Sequence, residues 1–235
     1  MISGRTRCDT RIGSGRIRRP VRRQLHERGE DGMNVTAPAD PADGAGEAAT
    51  IDPRQFRNIL GQFCTGITVI TTFTDDETPI GFACQSFAAL SLEPPLVLFC
   101  PTKGSRSWAA IEANGRFCVN VLAEEQQPVC AKFGSREPDK FAGTDWHTSD
   151  LGLPRLDNSL ATIECRVDSV VDGGDHFIVI GRVLAMSETP ATTNGRPLLF
   201  YRGQYTAIEP EKTTPAPWRA DLDHFLTTTT LDTWL

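Results

Sequence analysis

Two apolar stretches joined by a tight turn, LATIECRVDSVV (160–171) and HFIVIGRVLAMSE (176–188), decide the fold of this 235-residue chain. Both stretches are rich in β-branched residues, which favour strands. The DGGD sequence between them (172–175) is a strong hairpin signal, because Gly and Asp readily adopt the backbone conformations that two-residue turns require. Together the three segments predict a long antiparallel β-hairpin.

More strands are predicted on both sides of this hairpin. Each is a run of β-branched or aromatic residues bounded by polar, Gly or Pro residues. The runs are GITVITTF (66–73), IGFACQSFAAL (80–90), LVLFCPT (96–102), RFCVNVLA (116–123) and PLLFYRGQYTAIE (197–209). The stretch at 134–158 shows little periodicity and is predicted to be a long loop.

Three short helices are predicted as well. In residues 51–63, Asp52 is a good N-cap, and apolar residues recur with helical spacing at positions 56, 59, 60 and 63. Segment 105–115 opens with serines and ends at a glycine, and segment 124–134 is also predicted to be helical. Six or seven strands and two or three helices, without strand–helix alternation, predict a mainly β fold. We expect a closed antiparallel barrel with a few short peripheral helices.

Composition and charge exclude several classes of protein. No apolar run approaches the roughly 20 residues of a membrane-spanning helix. With a net charge of −6, the chain is not expected to bind nucleic acid. The four histidines are widely scattered along the chain, which argues against a metal site built from histidines. No two of the seven cysteines lie within four residues of each other, so the sequence contains no C-x-x-C pair. We expect reduced, mostly buried cysteines and a cytoplasmic protein.

The chain is predicted to have three parts. Residues 1–32 carry nine Arg and four acidic residues (+5), which leaves 15 basic and 26 acidic residues in the remainder (−11). This leader could be a transit peptide or an arm that binds nucleic acid. We favour a third interpretation, in which residues 1–32 are upstream sequence translated from an early start codon and the working protein starts at Met33. We predict a disordered extension over 1–50, one domain over 51–209 and a tail with a short helix over 210–235.

None of the common catalytic motifs occurs in the sequence, whether G-x-S-x-G, a P-loop, a G-x-G-x-x-G after a first strand or H-E-x-x-H. Three stretches nevertheless carry polar groups where a ligand could bind. The first is CQSF (84–87), followed by Ser91, inside an otherwise apolar strand. Such inward polar groups either satisfy backbone atoms or hold a ligand.

The second stretch is PTKGSRSW (101–108), at a strand-to-helix junction. A lysine, a glycine and two serines beside a helix N-terminus suit a phosphate, because free N–H groups and the helix dipole favour negative charge there. A serine N-cap with a solvated lysine is the alternative. The third stretch is GGDH (173–176), for which an exposed histidine on a hairpin turn is the simpler interpretation.

Taken in order along the chain, these stretches resemble the flavin reductase family. The resemblance covers residues 51–209 and implies an antiparallel FMN-binding split β-barrel of Greek-key type. Within the family it is nearest to reductase components of actinobacterial secosteroid hydroxylases in cholesterol catabolism, a likeness that the tail from Glu209 shares. The motifs that carry it are FCTGITVITT, GFACQSFAALSLEPPLVLFCPTKGSRSW, RFCVNVL, KFGSREPDKF, GGDHFIVIGRV and PLLFYRGQY.

The resemblance implies two sets of site residues. His176 and Tyr201 are expected to contact the nicotinamide of NADH. In many family members Asn-Ser stands where this chain has Gln85-Ser86, so flavin-ring contacts there rest partly on backbone groups. Segment 103–107 is expected to meet the flavin phosphate. The expected flavin-binding residues are Cys84, Gln85, Ser86, Phe87, Ser91, Lys103, Gly104, Ser105, Ser107, Phe133 and Lys140.

The implied activity is reduction of exchangeable FMN or FAD by hydride transfer from NADH, which requires no acid–base residue and no metal from the protein. The reduced flavin would leave for a separate flavin-dependent monooxygenase in steroid or aromatic-ring degradation. Family members are homodimers with the flavin near the interface, so a homodimer is expected. Two alternatives remain: a split-barrel flavoprotein that retains its flavin, and a non-enzymatic module that binds flavin or heme.

Overall fold

The computed structural model of this chain describes residues 51–188 and 195–209. In this part of the chain, helices lie at Pro53–Leu60 (α1), Arg106–Asn114 (α2) and Gln127–Gly134 (α3), the last preceded by a 3-10 turn at Glu124–Gln126. No helix in the described ranges is long and apolar enough to cross a membrane. The predictions for 1–50 and 210–235 lie outside the described residues.

The described strands form one large antiparallel sheet and two small ones. They are β1 (Thr65–Gly66), β2 (Thr68–Phe73), β3 (Pro79–Cys84), β4 (Ala88–Ser91), β5 (Leu96–Phe99), β6 (Arg116–Val121), β7 (Trp146–Thr148), β8 (Pro154–Leu156), β9 (Ala161–Gly173), β10 (His176–Glu188), β11 (Leu199–Tyr201) and β12 (Gln204–Thr206). The large sheet has the order β3-β2-β6-β9-β10-β5-β4, and the small ones are β1-β11-β12 and β7-β8.

The two edges of the large sheet lie close together, so the sheet closes into a barrel. β3 and β4 are the edge strands, yet only residues 85–87 separate them along the chain, and three residues span only about 10 Å. Irregularities in the β9–β10 register at Gly181 and near Leu184 help to bend the sheet. The junction of β3 and β4 therefore forms the split of the barrel.

Two clusters of buried side chains fill the fold. Inside the barrel, the Phe99 ring lies 5.0 Å from Phe117 and 6.4 Å from Trp108, measured between ring centroids. The second cluster lies under α3 and the 134–158 segment, where Phe133 packs edge-on against Phe141 at 5.0 Å. Both clusters hold the strands whose ends form the site described below.

The six cysteines of the described residues are all free thiols. Four of them are buried, as expected, while Cys100 is partly buried and Cys64 is exposed. Burial raises the pKa of Cys165 to about 12, and that of Cys118 above its ordinary value as well. These two thiols therefore stay protonated and act as small apolar core residues.

The structure confirms the mainly β barrel, the three helices and the long hairpin, but three predicted segments differ in detail. Segment 80–90 is two strands, because the chain turns at 85–87 and β4 pairs with β5. Segment 197–209 is the β11–β12 hairpin, because Arg202 and Gly203 take positive φ angles of 50° and 78°. The predicted loop at 134–158 contains the short β7–β8 hairpin.

Candidate functional site

A pocket of about 430 Å³ opens at the split of the barrel. Three segments that are distant in sequence line it: residues 82–86 at the end of β3, residues 100–102 with Ser105 after β5, and His176 at the start of β10. Its volume falls within the roughly 300–1,000 Å³ of typical small-molecule sites. Closure of the barrel is what brings these segments together.

Ser86 fastens one wall of the pocket to the other. Its hydroxyl accepts a hydrogen bond from the Cys100 backbone N–H (2.9 Å) and donates one to the Cys100 carbonyl (3.3 Å). The Cys84 Sγ lies 3.3 Å from the same Oγ. Burial raises the pKa of the Cys84 thiol, so this thiol lines the pocket as a neutral group and not as a nucleophile. Gln85 is exposed beside them.

Ser105 belongs to the predicted phosphate-binding segment 103–107 and lines the pocket. This residue is the N-cap of α2, and its Oγ accepts a hydrogen bond from the Trp108 N–H at 3.2 Å. Its own backbone N–H donates to the Thr102 carbonyl at 3.1 Å. α2 has no acidic residue in its first turn. Unpaired N–H groups and the positive end of the helix dipole therefore leave this end of the pocket suited to an anion.

Lys103 belongs to the same segment and is held by the β9–β10 turn. Its Nζ is 2.5 Å from the Asp172 Oδ2 and 5.4 Å from the centroid of the Phe177 ring. Its backbone N–H donates to the Asp175 carbonyl at 3.1 Å. The lysine and the hairpin turn therefore form one unit at the rim of the pocket.

His176 is the pocket residue supplied by the hairpin. Its Nδ1 is 2.7 Å from the Asp175 Oδ1, and its backbone pairs with Thr102 in an isolated β-bridge. The hydrogen bond to His176 lowers the pKa of the Asp175 carboxyl. The structure confirms that GGDH (173–176) forms a hairpin turn. The same turn places His176 at the wall of the pocket.

Several predicted site residues do not line the pocket in this structure. The buried Ser107 hydroxyl donates to the Gly81 carbonyl at 3.1 Å, and Gly104 is exposed on the loop. Phe87 packs against the barrel core, and Ser91 ends β4.

Three further predicted residues lie beyond the pocket. Phe133 is fully buried in the second core cluster. The Lys140 Nζ donates to the carbonyls of Phe133 (2.8 Å) and Gly81 (3.4 Å); burial and the neighbouring Arg106 lower its pKa. Tyr201 lies in the small β1-β11-β12 sheet, where its hydroxyl is 3.5 Å from the Gln62 Oε1.

Five residues that line the pocket were not among the predicted site residues, namely Phe82, Ala83, Cys100, Pro101 and Thr102. Pro101 and Thr102 lie within the predicted 101–108 stretch, and Cys100 directly precedes it, but none of the three carries a charge that marks it as a ligand contact. Phe82 and Ala83 carry no polar signal that separates them from other apolar strand residues. Asp172 was also missed, since an acidic residue in a turn is ordinary.

The residues of the pocket fit a flavin nucleotide. Apolar and backbone groups of residues 82–84 and 100–101 offer a surface for a flat ring, while Thr102 and Ser105 at the α2 N-terminus, with Lys103 beside them, offer donors to a phosphate. Hydrogen-bond donors for a phosphate therefore lie directly beside a pocket that can hold the flavin ring.

Comparison with known proteins agrees with this fit. The family model described as flavin reductase like domain matches residues 60–209. The chain is 72% identical, over 80% of its length and 100% of the relative, to the flavin-dependent monooxygenase reductase subunit HsaB of Mycobacterium tuberculosis.

Two solved structures also resemble the chain. Nitrilotriacetate monooxygenase component B (a homologue) of Mycobacterium thermoresistibile shares 68% identity, with a TM-score of 0.68 over 74% of this chain and 97% of that one. The NADH:FAD oxidoreductase SgcE6 of Streptomyces globisporus C-1027, in complex with NAD and FAD fragments, shares 32% identity, with a TM-score of 0.64 over 71% of this chain and 100% of that one.

Proposed function

Because this chain belongs to the flavin reductase like domain family, we propose that it uses NADH to reduce exchangeable FMN or FAD and releases the reduced flavin to a separate monooxygenase. The family match and the HsaB relative show that the chain is an oxidoreductase, a flavin reductase of the kind that serves flavin-dependent monooxygenases.

One observation carries the proposal: a single pocket is lined both by the expected nicotinamide residue and by Ser105 of the expected phosphate-binding segment. His176 and Ser105 line the same cavity, and Lys103 is bonded to the turn that carries His176. A module that only binds flavin has no need for a second ligand contact beside the phosphate site. The similar SgcE6 structure, which holds fragments of both NAD and FAD, supports two ligands in such a fold.

The protein's part in the reaction is to hold two ligands. When both are bound, the nicotinamide and the flavin supply hydride transfer. In our proposal, Ser105 and the α2 N-terminus bind the phosphate, residues 82–86 and 100–101 hold the ring, and His176 orients the nicotinamide through a hydrogen bond. Stacking the two ligands in line is the catalytic contribution of such a site.

We also propose that the chain is a homodimer. The apolar stripe consists of Phe56, Ile59 and Leu60 on α1, together with Phe63 three residues beyond its end, and these side chains are between 51% and 77% exposed. No residue of α1 is buried by other described residues. Contiguous exposed apolar surface of this kind marks protein interfaces, and a second copy would cover it.

The 72% identity to HsaB, the reductase subunit of a flavin-dependent monooxygenase, supports the oxygenase component of such a monooxygenase as the partner. We propose that this partner acts in steroid or aromatic-ring degradation within the cytoplasm. Contact between the two proteins is unnecessary in this proposal, since reduced flavin diffuses between them.

The test is NADH oxidation by the purified chain, followed at the nicotinamide absorbance with no flavin, with FMN and with FAD. We expect turnover only when flavin is added, loss of bound flavin on gel filtration and faster turnover with NADH than with NADPH. Turnover without added flavin by a protein that keeps its flavin would favour the retaining flavoprotein. Absence of turnover with either flavin by the folded protein would leave a binding module.

A further inference from the structure

The Asp172 carboxylate forms an ion pair with Lys103, the positively charged residue of the predicted phosphate-binding segment. Its Oδ2 is 2.5 Å from the Lys103 Nζ, and its Oδ1 accepts a hydrogen bond from the Gly174 N–H at 3.2 Å. The β9–β10 turn thus fixes one oxygen of the carboxylate and directs the other at the lysine. The Lys103 hydrogen bond lowers the pKa of Asp172, so the carboxylate is charged at neutral pH.

We propose that Asp172 sets the affinity for flavin nucleotides by competing with the phosphate for Lys103. This inference rests on the proposed function, because it requires a phosphate at the phosphate-binding segment. With no nucleotide bound, the ammonium is paired with Asp172. With a nucleotide bound, the phosphate takes the ammonium, and the displaced carboxylate remains close by.

The ion pair is built to exchange. The side chains of Lys103 and Asp172 are 38% and 71% exposed, and exposed pairs of this kind contribute little to stability. The Lys103 main chain stays fixed by its bond to the Asp175 carbonyl, so only the side chain has to move from one anion to the other. A phosphate dianion attracts an ammonium more strongly than a single carboxylate does.

The competing charge does not leave when the phosphate arrives. Asp172 stays tethered through the Gly174 N–H, so its negative charge remains beside the bound phosphate and repels it. The other acid of the turn, Asp175, is engaged by His176 at 2.7 Å. A reductase whose product must diffuse away gains from such a limit on affinity, because tight binding would slow release of the reduced flavin.

The experiment measures dissociation constants of oxidised FMN and of riboflavin, which lacks the phosphate, from the quenching of flavin fluorescence. The variants are D172N, K103M and the double variant. Asn at 172 can still accept the Gly174 N–H, so the turn is retained. Glu188→Gln is the matched control, because it removes the same charge at the exposed far end of β10. Thermal unfolding verifies that all variants are folded.

We expect D172N to lower the dissociation constant of FMN about twofold to fivefold, the range of one exposed charge pair, and to leave riboflavin binding unchanged. K103M should weaken FMN binding, and D172N should have no further effect in the K103M background. E188Q should bind FMN like the wild type. A measured slowing of FMN release in D172N by stopped flow would add support.

The outcomes separate this inference from the proposed function. If K103M weakens FMN binding but D172N does not tighten it, Asp172 is no competitor, although the phosphate site stands. If D172N tightens riboflavin as much as FMN, the effect does not involve the phosphate and the inference is wrong. If K103M leaves FMN binding unchanged, Lys103 does not bind the phosphate and the inference is wrong, while NADH oxidation with added FMN would still support the proposed function.

Discussion

At the scale of single residues, His176 is held by side-chain and backbone contacts at once. The Asp175 carboxylate lies 2.7 Å from Nδ1, while the β-bridge to Thr102 fixes the backbone. Among the described residues, none accepts a hydrogen bond from Nε2, so this is the ring nitrogen available to a ligand. The turn therefore presents a preoriented imidazole at the pocket.

We predict that His176→Ala raises the KM for NADH about tenfold, the effect of losing one useful hydrogen bond, while the flavin dissociation constant changes less than twofold. Steady-state kinetics and flavin fluorescence give the two values. His147→Ala is the control, because His147 is also an exposed histidine paired with an aspartate (Asp157, 2.6 Å) but does not line the pocket. Equal losses for NADH and flavin would contradict a nicotinamide role.

Gly181 is a residue whose lack of a side chain the barrel requires. A Cβ built there would lie 2.4 Å from the Phe117 Cζ and 3.0 Å from its Cε1, and Phe117 is fully buried. We predict that Gly181→Ala lowers the free energy of unfolding by about 1–3 kcal/mol through overpacking. Urea denaturation measures the loss. Gly66→Ala, where a Cβ meets nothing within 4 Å, should lose much less.

At the scale of secondary-structure elements, α1 stands out because its sequence is amphipathic but none of its residues is buried. Asp52 caps it as predicted, with its carboxylate accepting hydrogen bonds from Arg54 and Gln55 N–H at 3.3 and 3.1 Å. Capping and helical spacing are local properties, so the sequence was sufficient to predict this helix. What covers its apolar stripe is a property of the assembly.

We predict that Ile59→Asp on the α1 stripe weakens the homodimer by about 2–4 kcal/mol, as expected for a charge placed in a buried apolar interface. Sedimentation velocity across a concentration series measures the shift from dimer to monomer. Arg54→Ser, a polar change on the same exposed helix, should leave the association unchanged. A wild-type chain that sediments as a monomer would refute the dimer itself.

Strands were harder to delimit than helices. The β9–β10 hairpin was predictable because two adjacent residues, Gly174 and Asp175, form its turn, and Gly174 has the positive φ angle (80°) that glycine favours. The break between β3 and β4 was not, because it is enforced by Ser86 bonding to Cys100, fourteen residues away. Likewise, Lys103 was singled out from its loop, while its partner Asp172 is 69 residues distant. Contacts between distant segments have no local sequence signal.

At the scale of the whole molecule, the pocket is a product of barrel closure. The lining residues 82–86, 100–102 with Ser105, and His176 belong to three separate segments of the chain, and the cluster inside the barrel holds all three through Cys84, Phe99 and Phe177. No single segment of the chain contains both the phosphate loop and the histidine. Binding of a ligand in this pocket therefore stabilises the entire barrel, since the unfolded chain lacks the site.

All the residues that line the pocket lie within 51–209, so the predicted later start at Met33 should not matter to the site. We predict that a chain beginning at Met33 binds FMN with the same dissociation constant as the full chain. Its Tm should rise by the same amount in saturating FMN, because the shift depends only on ligand concentration and affinity. Fluorescence quenching and thermal unfolding of the two chains measure this.

The two chains should differ in one property, because residues 1–32 carry a charge of +5 and the remainder −11. Removal of the leader should abolish any salt-sensitive retention of the full chain on a cation-exchange or DNA column, where electrostatic contacts dominate. Loss of FMN binding or of NADH oxidation in the chain that begins at Met33 would show that the leader belongs to the working enzyme. It would also overturn the predicted domain boundary at residue 51.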